Sequence, residues 1–240
     1  MNGNVSVPLA GWTVPRPVFK RLEEIGGPTG EVVSLATVKA HLRITDTSAD
    51  SYLTDMLIPA AIDAVQRYTN RRLLLQTVAM WMDFLPGTGN ENTLYGAGTA
   101  QIPVRYANIG MFRWFELFGA PVASVQSFHF ITNDGAEVTF DPSQYIADTA
   151  DKDMPARIIL QRGTVWPVDL QVAHSLKVSY TLGYTNAAAI PASLKHAVLL
   201  IAAALWSNRG DNADQQPDIL GFPAVRALLD PYRVLRVSLL

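Results

Sequence analysis

The sequence predicts an α+β chain with a mainly helical core, in which paired N-terminal helices pack on C-terminal helices and a small antiparallel β-sheet region is inserted between them. Three observations carry this expectation. Apolar residues recur at helical spacing over 35–68, the period shortens to two after residue 76, and helical spacing returns at Pro191. The expected divisions are an extended or flexible arm over 1–33, the helical core over 34–75 and 190–231, a β-rich insertion over 76–183 and a C-terminal tail over 232–240.

The first stretch holds Pro8, Pro15, Pro17 and Pro28 among several glycines and shows no sustained period. Trp12, Val18 and Phe19 argue against pure solvation, so two readings stand: a disordered tail, or an arm that orders on a neighbouring subunit through those three residues. Leu35, Val38 and Leu42 then mark a short helix, and Leu53, Met56, Leu57, Ala60, Ala64, Val65 and Tyr68 give a longer helix one apolar face. Ser34 and Ser48 are the expected N-caps, because a serine hydroxyl accepts from the unpaired amides of the first turn. Asp50 places negative charge where the helix dipole favours it. Pro59 removes one backbone hydrogen bond and predicts a kink or a restart there.

Val78, Met80, Met82 and Phe84 alternate with Thr77, Ala79, Trp81 and Asp83 as a half-buried strand does. A glycine- and asparagine-rich loop follows over 87–98, with extended pieces over 102–106, 111–117 and 122–131. Asp134-Gly135 reads as a hairpin turn, since both residues tolerate positive φ. Further strands are expected over 137–140, 157–161 and 176–180. Pro191 suits a first helical position, and the segment to Asn208 is apolar nearly all round, which predicts a central helix packed on the Leu53 to Tyr68 face. A last short helix is expected over 223–230.

With 49% hydrophobic and 17% charged residues in 240, the chain has enough apolar material for a core, and its net charge of −2 gives no electrostatic case for nucleic acid as the main partner. The absence of cysteine excludes disulfides, thiolate catalysis and cysteine metal sites, and fits a reducing cytoplasm. The N-terminus has neither the basic start nor the apolar run of a signal peptide. The most apolar run, 197–206, falls well short of the roughly 20 residues of a membrane span.

No constellation points to chemistry. His41, His129, His174 and His196 lack metal-ligand spacing and read as structural histidines. Gly87, Gly89, Gly96 and Gly98 miss the dinucleotide fingerprint, because Asn92 stands where the third glycine belongs and no helix opens there. Asp141, Asp148, Asp151 and Asp153 lack the central glycine and terminal glutamate of a calcium loop and read as solvated loop carboxylates. Neither a cofactor nor a catalytic residue is expected. Arg67, Arg71 and Arg72 complement the dipole at the end of the second helix. Around Arg226, Arg233 and Arg236, by contrast, Tyr232, Val234, Leu235, Val237, Leu239 and Leu240 form a mixed apolar and basic segment with the composition of an interface.

These pieces resemble the head-tail connector, or adaptor, family of tailed bacteriophages and gene transfer agents. The likeness rests on VSLATVKAHLRI, on DSYLTDMLIPAAIDAVQRYTNRRLL, on GAPVASVQSF, on the turn at Trp166, Pro167, Val168 and Asp169, on IPASLKHAVLLIAAALWSNRG and on AVRALLDPYRV, in that order. It departs from the family pattern at Thr37, where an acidic residue would complete a capping box, and in an arm longer than the pattern needs.

The resemblance implies a structural virion protein of the neck between capsid and tail, assembled in the bacterial host cytoplasm. Similar proteins form a homo-oligomeric ring of about twelve copies under the portal protein. Such a ring extends the channel through which DNA passes without sequence-specific binding, and it docks a tail-side neck or stopper protein. On this reading Tyr232, Arg233, Leu235 and Arg236 are the portal contacts, and no membrane is involved. The alternatives are another head-completion or tail-terminator component, a β-insert hydrolase using carboxylates among Asp141, Asp148 and Asp153, and a DNA-binding helical module over 34–72.

Overall fold

The computed structural model describes residues 19–83, 113–167, 170–171, 173–208 and 222–234. Eight strands and five α-helical segments follow in the order β1 (Phe19–Gly26), α1 (Leu35–Leu42), α2 (Asp50–Tyr52), α3 (Ile58–Thr69), β2 (Gln76–Met82), β3 (Trp114–Glu116), β4 (Val122–Ile131), β5 (Glu137–Thr139), β6 (Tyr145–Asp148), β7 (Arg157–Leu160), β8 (Leu176–Leu182), α4 (Ala192–Ser207) and α5 (Pro223–Leu229).

Helix α1 starts where Ser34 accepts from the Thr37 amide at 3.2 Å. It ends at Arg43 in the left-handed region. Ser48 does not cap the next helix: its amide and hydroxyl both donate to Asp46, and Ala49 occupies the cap position without a side-chain bond. Between α2 and α3 the chain makes a π-helical turn, Leu53–Leu57, and α-helix resumes with Pro59 in its first turn, where a missing N–H costs least. That geometry keeps Leu53, Leu57, Ala61 and Val65 on one buried face. Against it pack Leu194, Ala197, Val198, Ile201 and Ala202 of α4, with Val225 and Leu229 of α5 closing the cluster. Each of the larger side chains contributes about 1.5–3 kcal/mol by leaving water.

The α+β class holds, but the mainly helical core with a small inserted sheet does not. The strands form a five-stranded antiparallel sheet, β1-β2-β8-β4-β5, and a three-stranded one, β3-β7-β6. Between them lies a second core nearly equal to the helical one, built from Val78, Met80 and Met82 of β2, Leu176, Val178, Tyr180 and Leu182 of β8, and Phe115, Phe128, Phe140, Ile158 and Trp166. Its centre is aromatic, with Phe128 5.2 Å from Phe140 and 5.9 Å from Phe115 between ring centroids. The physical reason for the correction is closure. All strands but β1 and β6 were expected one by one, but two sheets facing each other bury both inner faces and so make a core of their own. Strand β1, which falls within residues 1–33, adds to the larger sheet by pairing with β2.

The helical and β parts meet where Gly183 ends β8. Its φ is +116°, and a Cβ there would stand 2.1 Å from the Leu74 carbonyl oxygen. Only glycine lets the two chain segments come that close. Gly183→Ala is therefore expected to lower stability by about 3 kcal/mol, from strain and from forced separation of the two parts. Chemical denaturation measures this, and an unchanged midpoint would show that the junction yields freely.

Candidate functional site

The most heavily tied point of the described surface is the end of α3, where it meets the C-terminal segment. Asn70 takes the left-handed conformation, φ 54°, and stops the helix. Four successive residues at this end then hold residues 230–234. The Tyr68 hydroxyl donates to Asp230 at 2.5 Å, and Thr69 presents its carbonyl to the Val234 amide at 2.9 Å. Asn70 donates through Nδ2 to the Val234 carbonyl at 3.0 Å, and Arg71 donates through Nε to the Tyr232 carbonyl at 2.6 Å.

Arg71 reaches further. Its Nη1 donates to the Lys152 carbonyl at 2.8 Å and its Nη2 to the Asp153 carboxylate at 2.9 Å, both between β6 and β7. The guanidinium side chain is 1% exposed while the Asp153 side chain is 80% exposed. Water screens that carboxylate, so the ion pair itself contributes little, and the partly buried carbonyl acceptors give the cation its place. Arg71 also lies 6.0 Å from the centre of the Tyr232 ring, and Arg233 lies 5.3 Å from that of Tyr68. Burial pushes the Tyr184 hydroxyl above its ordinary range, partly offset by the neighbouring Arg71 charge.

Of the residues singled out in the sequence, Tyr232 and Arg233 lie at this anchor, Tyr232 half-buried and Arg233 exposed. Leu235, Arg236, Trp12 and Val18 lie outside the described residues, and Phe19 opens β1 opposite Met82. Val168 and Asp169 of the expected turn also lie outside them. Sequence reasoning assigned Arg71 to the helix dipole and missed its role, as it missed Tyr68, Asn70 and Asp230. One signal was available: Arg71 and Arg72 stand directly before Leu73, Leu74 and Leu75, an apolar run that a purely solvated arginine pair has little reason to join.

Two sheet faces are open. Across the larger sheet, Arg21, Trp81, Lys177, His129 and Thr139 form one row by register. Trp81 donates to Glu23 at 2.9 Å, and the Lys177 ammonium sits 5.1 Å from the indole centre. Across the smaller sheet, Trp114, Ile159 and Ile146 make an apolar row beside the charged row Glu116, Arg157 and Asp148. Burial raises the Glu116 carboxyl, opposed by Arg157, while the hydrogen bond from Arg157 at 2.5 Å lowers that of Asp148.

The loop carboxylates serve the chain. Asp141 accepts from the Ser143 amide at 2.8 Å and Asp151 from the Asp153 amide at 2.8 Å. Among the described residues no group of three His, Asp or Glu side chains could hold a metal ion. His41 and His196 do meet, at 6.2 Å between ring centres, beside a shallow groove lined by Val32, Val33, Thr37 and Leu199. No helix among the described residues is long and apolar enough to cross a membrane.

Arg71→Met should cost about 2 kcal/mol, because the partly buried Tyr232 and Lys152 carbonyls lose their donor. A thermal or urea melt at neutral pH reads this directly. A pH effect follows from Asp148, whose carboxyl is held below its ordinary 3.8. Its contribution is complete above that value and is lost as pH falls toward the lower folded value. Acid titration of stability should therefore be less steep in Asp148→Asn than in the parent chain, and equal slopes would remove Arg157 as the cause.

Residues 32–109 match the family described as phage gp6-like head-tail connector protein. A chain from the neck of an empty GTA (gene transfer agent) particle, computed with C6 symmetry, superposes with a TM-score of 0.65 at 22% identity, covering 91% of this chain and 97% of that one. A chain from the virion of a native gene transfer agent particle gives 0.62 at 23% identity, with the same coverage of both chains. One from the neck of a native particle, computed with C12 symmetry, gives 0.60 at 23% identity and again covers 91% and 97%. No curated protein matches the chain. The chain thus resembles the phage gp6-like head-tail connector family by sequence over residues 32–109, and chains of gene transfer agent necks by fold over nine-tenths of its length.

Proposed function

We propose that this chain is a structural protein of a virion neck, a head-tail connector that assembles as a homo-oligomeric ring beneath a portal protein. The ring extends the DNA channel and offers its far side to a tail-side neck or stopper protein. DNA passes through without sequence-specific binding, and the chain has no enzymatic role. The observation that carries this reading is the fold match, which takes in 97% of a protein from a neck computed with C12 symmetry. The connector-family match over 32–109 supports it independently of the fold. The near-neutral charge suits a channel protein, because a strongly basic lumen would hold phosphates with salt-dependent affinity.

A ring closed by rotation uses two different faces of each subunit. The open face of the smaller sheet, with its Trp114, Ile159 and Ile146 row, has the mixture of aromatic, aliphatic and arginine side chains found in interface centres. The C-terminal segment from Tyr232 onward, including Arg233, Leu235 and Arg236, is the part assigned to portal contact, and the arm residues Trp12, Val18 and Phe19 to contact between subunits.

Incubating the purified chain with portal rings from the same genome, followed by electron microscopy, tests the reading. Added ring density at the narrow end of the portal is expected. A chain truncated after Val234 keeps every contact of the anchor and should fold but leave portals bare. Undiminished attachment by the truncated chain would overturn the assignment of Leu235 and Arg236.

A further inference from the structure

Resting on the ring reading above, we infer that neighbouring copies of this chain meet through two different patches: an exposed Tyr52, Met56 and Ala60 stripe on the helical part of one copy, and the open face of the smaller sheet on the next. The stripe owes its position to the π-helical turn. Helical spacing in the sequence puts Met56 on the buried face with Leu53 and Leu57. The wider Leu53–Leu57 turn advances fewer degrees per residue, which keeps Leu53 and Leu57 in line with Ala61 and Val65 and rotates Met56 outward, where it is 63% exposed. Tyr52 and Ala60 are exposed one four-residue step on either side of it. The Trp206 ring, 6.3 Å from that of Tyr52, widens the patch, and an unbranched methionine adapts readily to a partner's relief.

Among the described residues the exposed large apolar side chains gather in two places. One is this stripe. The other is the smaller sheet, with Trp114 and Ile146 on its open face and Met154 and Val165 in the segments on either side of β7. Ile25, Val138 and Phe222 lie apart, in β1, in β5 and before α5. Charge favours the stripe of one copy against the sheet of the next. Asp55, beside Met56, is exposed and makes no ion pair among the described residues. At the Trp114 end of the sheet, Arg113 gives its Nη2 to the Leu160 and Gln161 carbonyls and Arg162 is exposed, neither with a carboxylate partner among the described residues. A two-fold contact would bring Asp55 near Asp55, or arginine near arginine, whereas unlike patches set acid against base. A two-fold contact also stops at a dimer. Unlike patches leave one of each kind unused at the two ends, so association continues until rotation closes it.

The chain has no cysteine, so single introduced thiols report the contact. Full-length Met56→Cys and Ile146→Cys chains, each alone and as an equal mixture, are assembled on portal rings from the same genome and treated with a short bismaleimide. Covalent dimers are expected in the mixture and not in either chain alone, and a chain carrying both substitutions should give a ladder of higher oligomers. Dimers from one variant alone mark a two-fold contact and overturn the inference, as do rings seen by electron microscopy that give no dimers in the mixture. Absence of rings with the parental chain removes the ring reading itself, and the inference with it. Met56→Arg alters an exposed side chain, so it should leave the melting midpoint unchanged while raising the concentration needed for ring formation by about tenfold. Ring formation by Met56→Arg at the parental concentration also overturns the inference.

Discussion

One cation holds the molecule's geography together. The Arg71 guanidinium is withdrawn from water yet spends its donors on groups from distant parts of the chain, 81 residues away at Lys152 and 161 away at Tyr232. Hydrogen bonds from a charged donor to backbone carbonyls are directional and strong, and leaving them unmade is expensive. The helical layer and the paired sheets each have a core of their own. Their relative placement needs this bond set, together with the close passage of Gly183 against Leu74.

That division of labour explains where rigidity is concentrated. Apolar burial is without direction and tolerates repacking, and it accounts for the α3, α4 and α5 cluster and for the aromatic centre between the sheets. The junction is made differently, from main-chain approach and oriented donors. Tyr180, on the strand that ends at this junction, follows the same rule: its ring is buried in the β core and its hydroxyl donates to the Phe118 carbonyl at 2.8 Å. On this plan the outer faces of the two sheets stay clear of the junction while the two parts hold a set angle.

Periodicity made most of the elements legible. The spacing of Leu53, Leu57 and Val65 and the all-round apolar character of 194–205 predicted the helical packing, because a stripe or a fully apolar helix has few other uses. Alternation over 78–84 and the Asp134-Gly135 turn located β2 and the β4-β5 hairpin. The weight of the β part was not legible. Strands β1 and β6 were not expected, the first lying in a stretch without a sustained period and the second spanning four residues, and nothing local announces that two sheets will face each other. Ser48 looked like a cap, but Asp46 competes for the same hydroxyl and amide. Arg71 stayed hidden for a related reason. An arginine after a helix has a sufficient local explanation, and its real partners are set by tertiary structure.

The edge strand β1 carries a consequence for growth. It pairs with β2 through two breaks in register, between Phe19 and Arg21 and between Glu24 and Gly26, and carries Arg21, Glu23 and Glu24 between them. An edge interrupted in this way never offers a long in-phase row of amides and carbonyls, and its charges resist a stacking strand. Lateral accretion of sheets, the usual route from an open edge to fibrils, is thereby discouraged. On the proposed reading, in which a fixed number of copies join and association then stops, such an edge limits association to side-chain surfaces, whose geometry sets an angle and so a finite count.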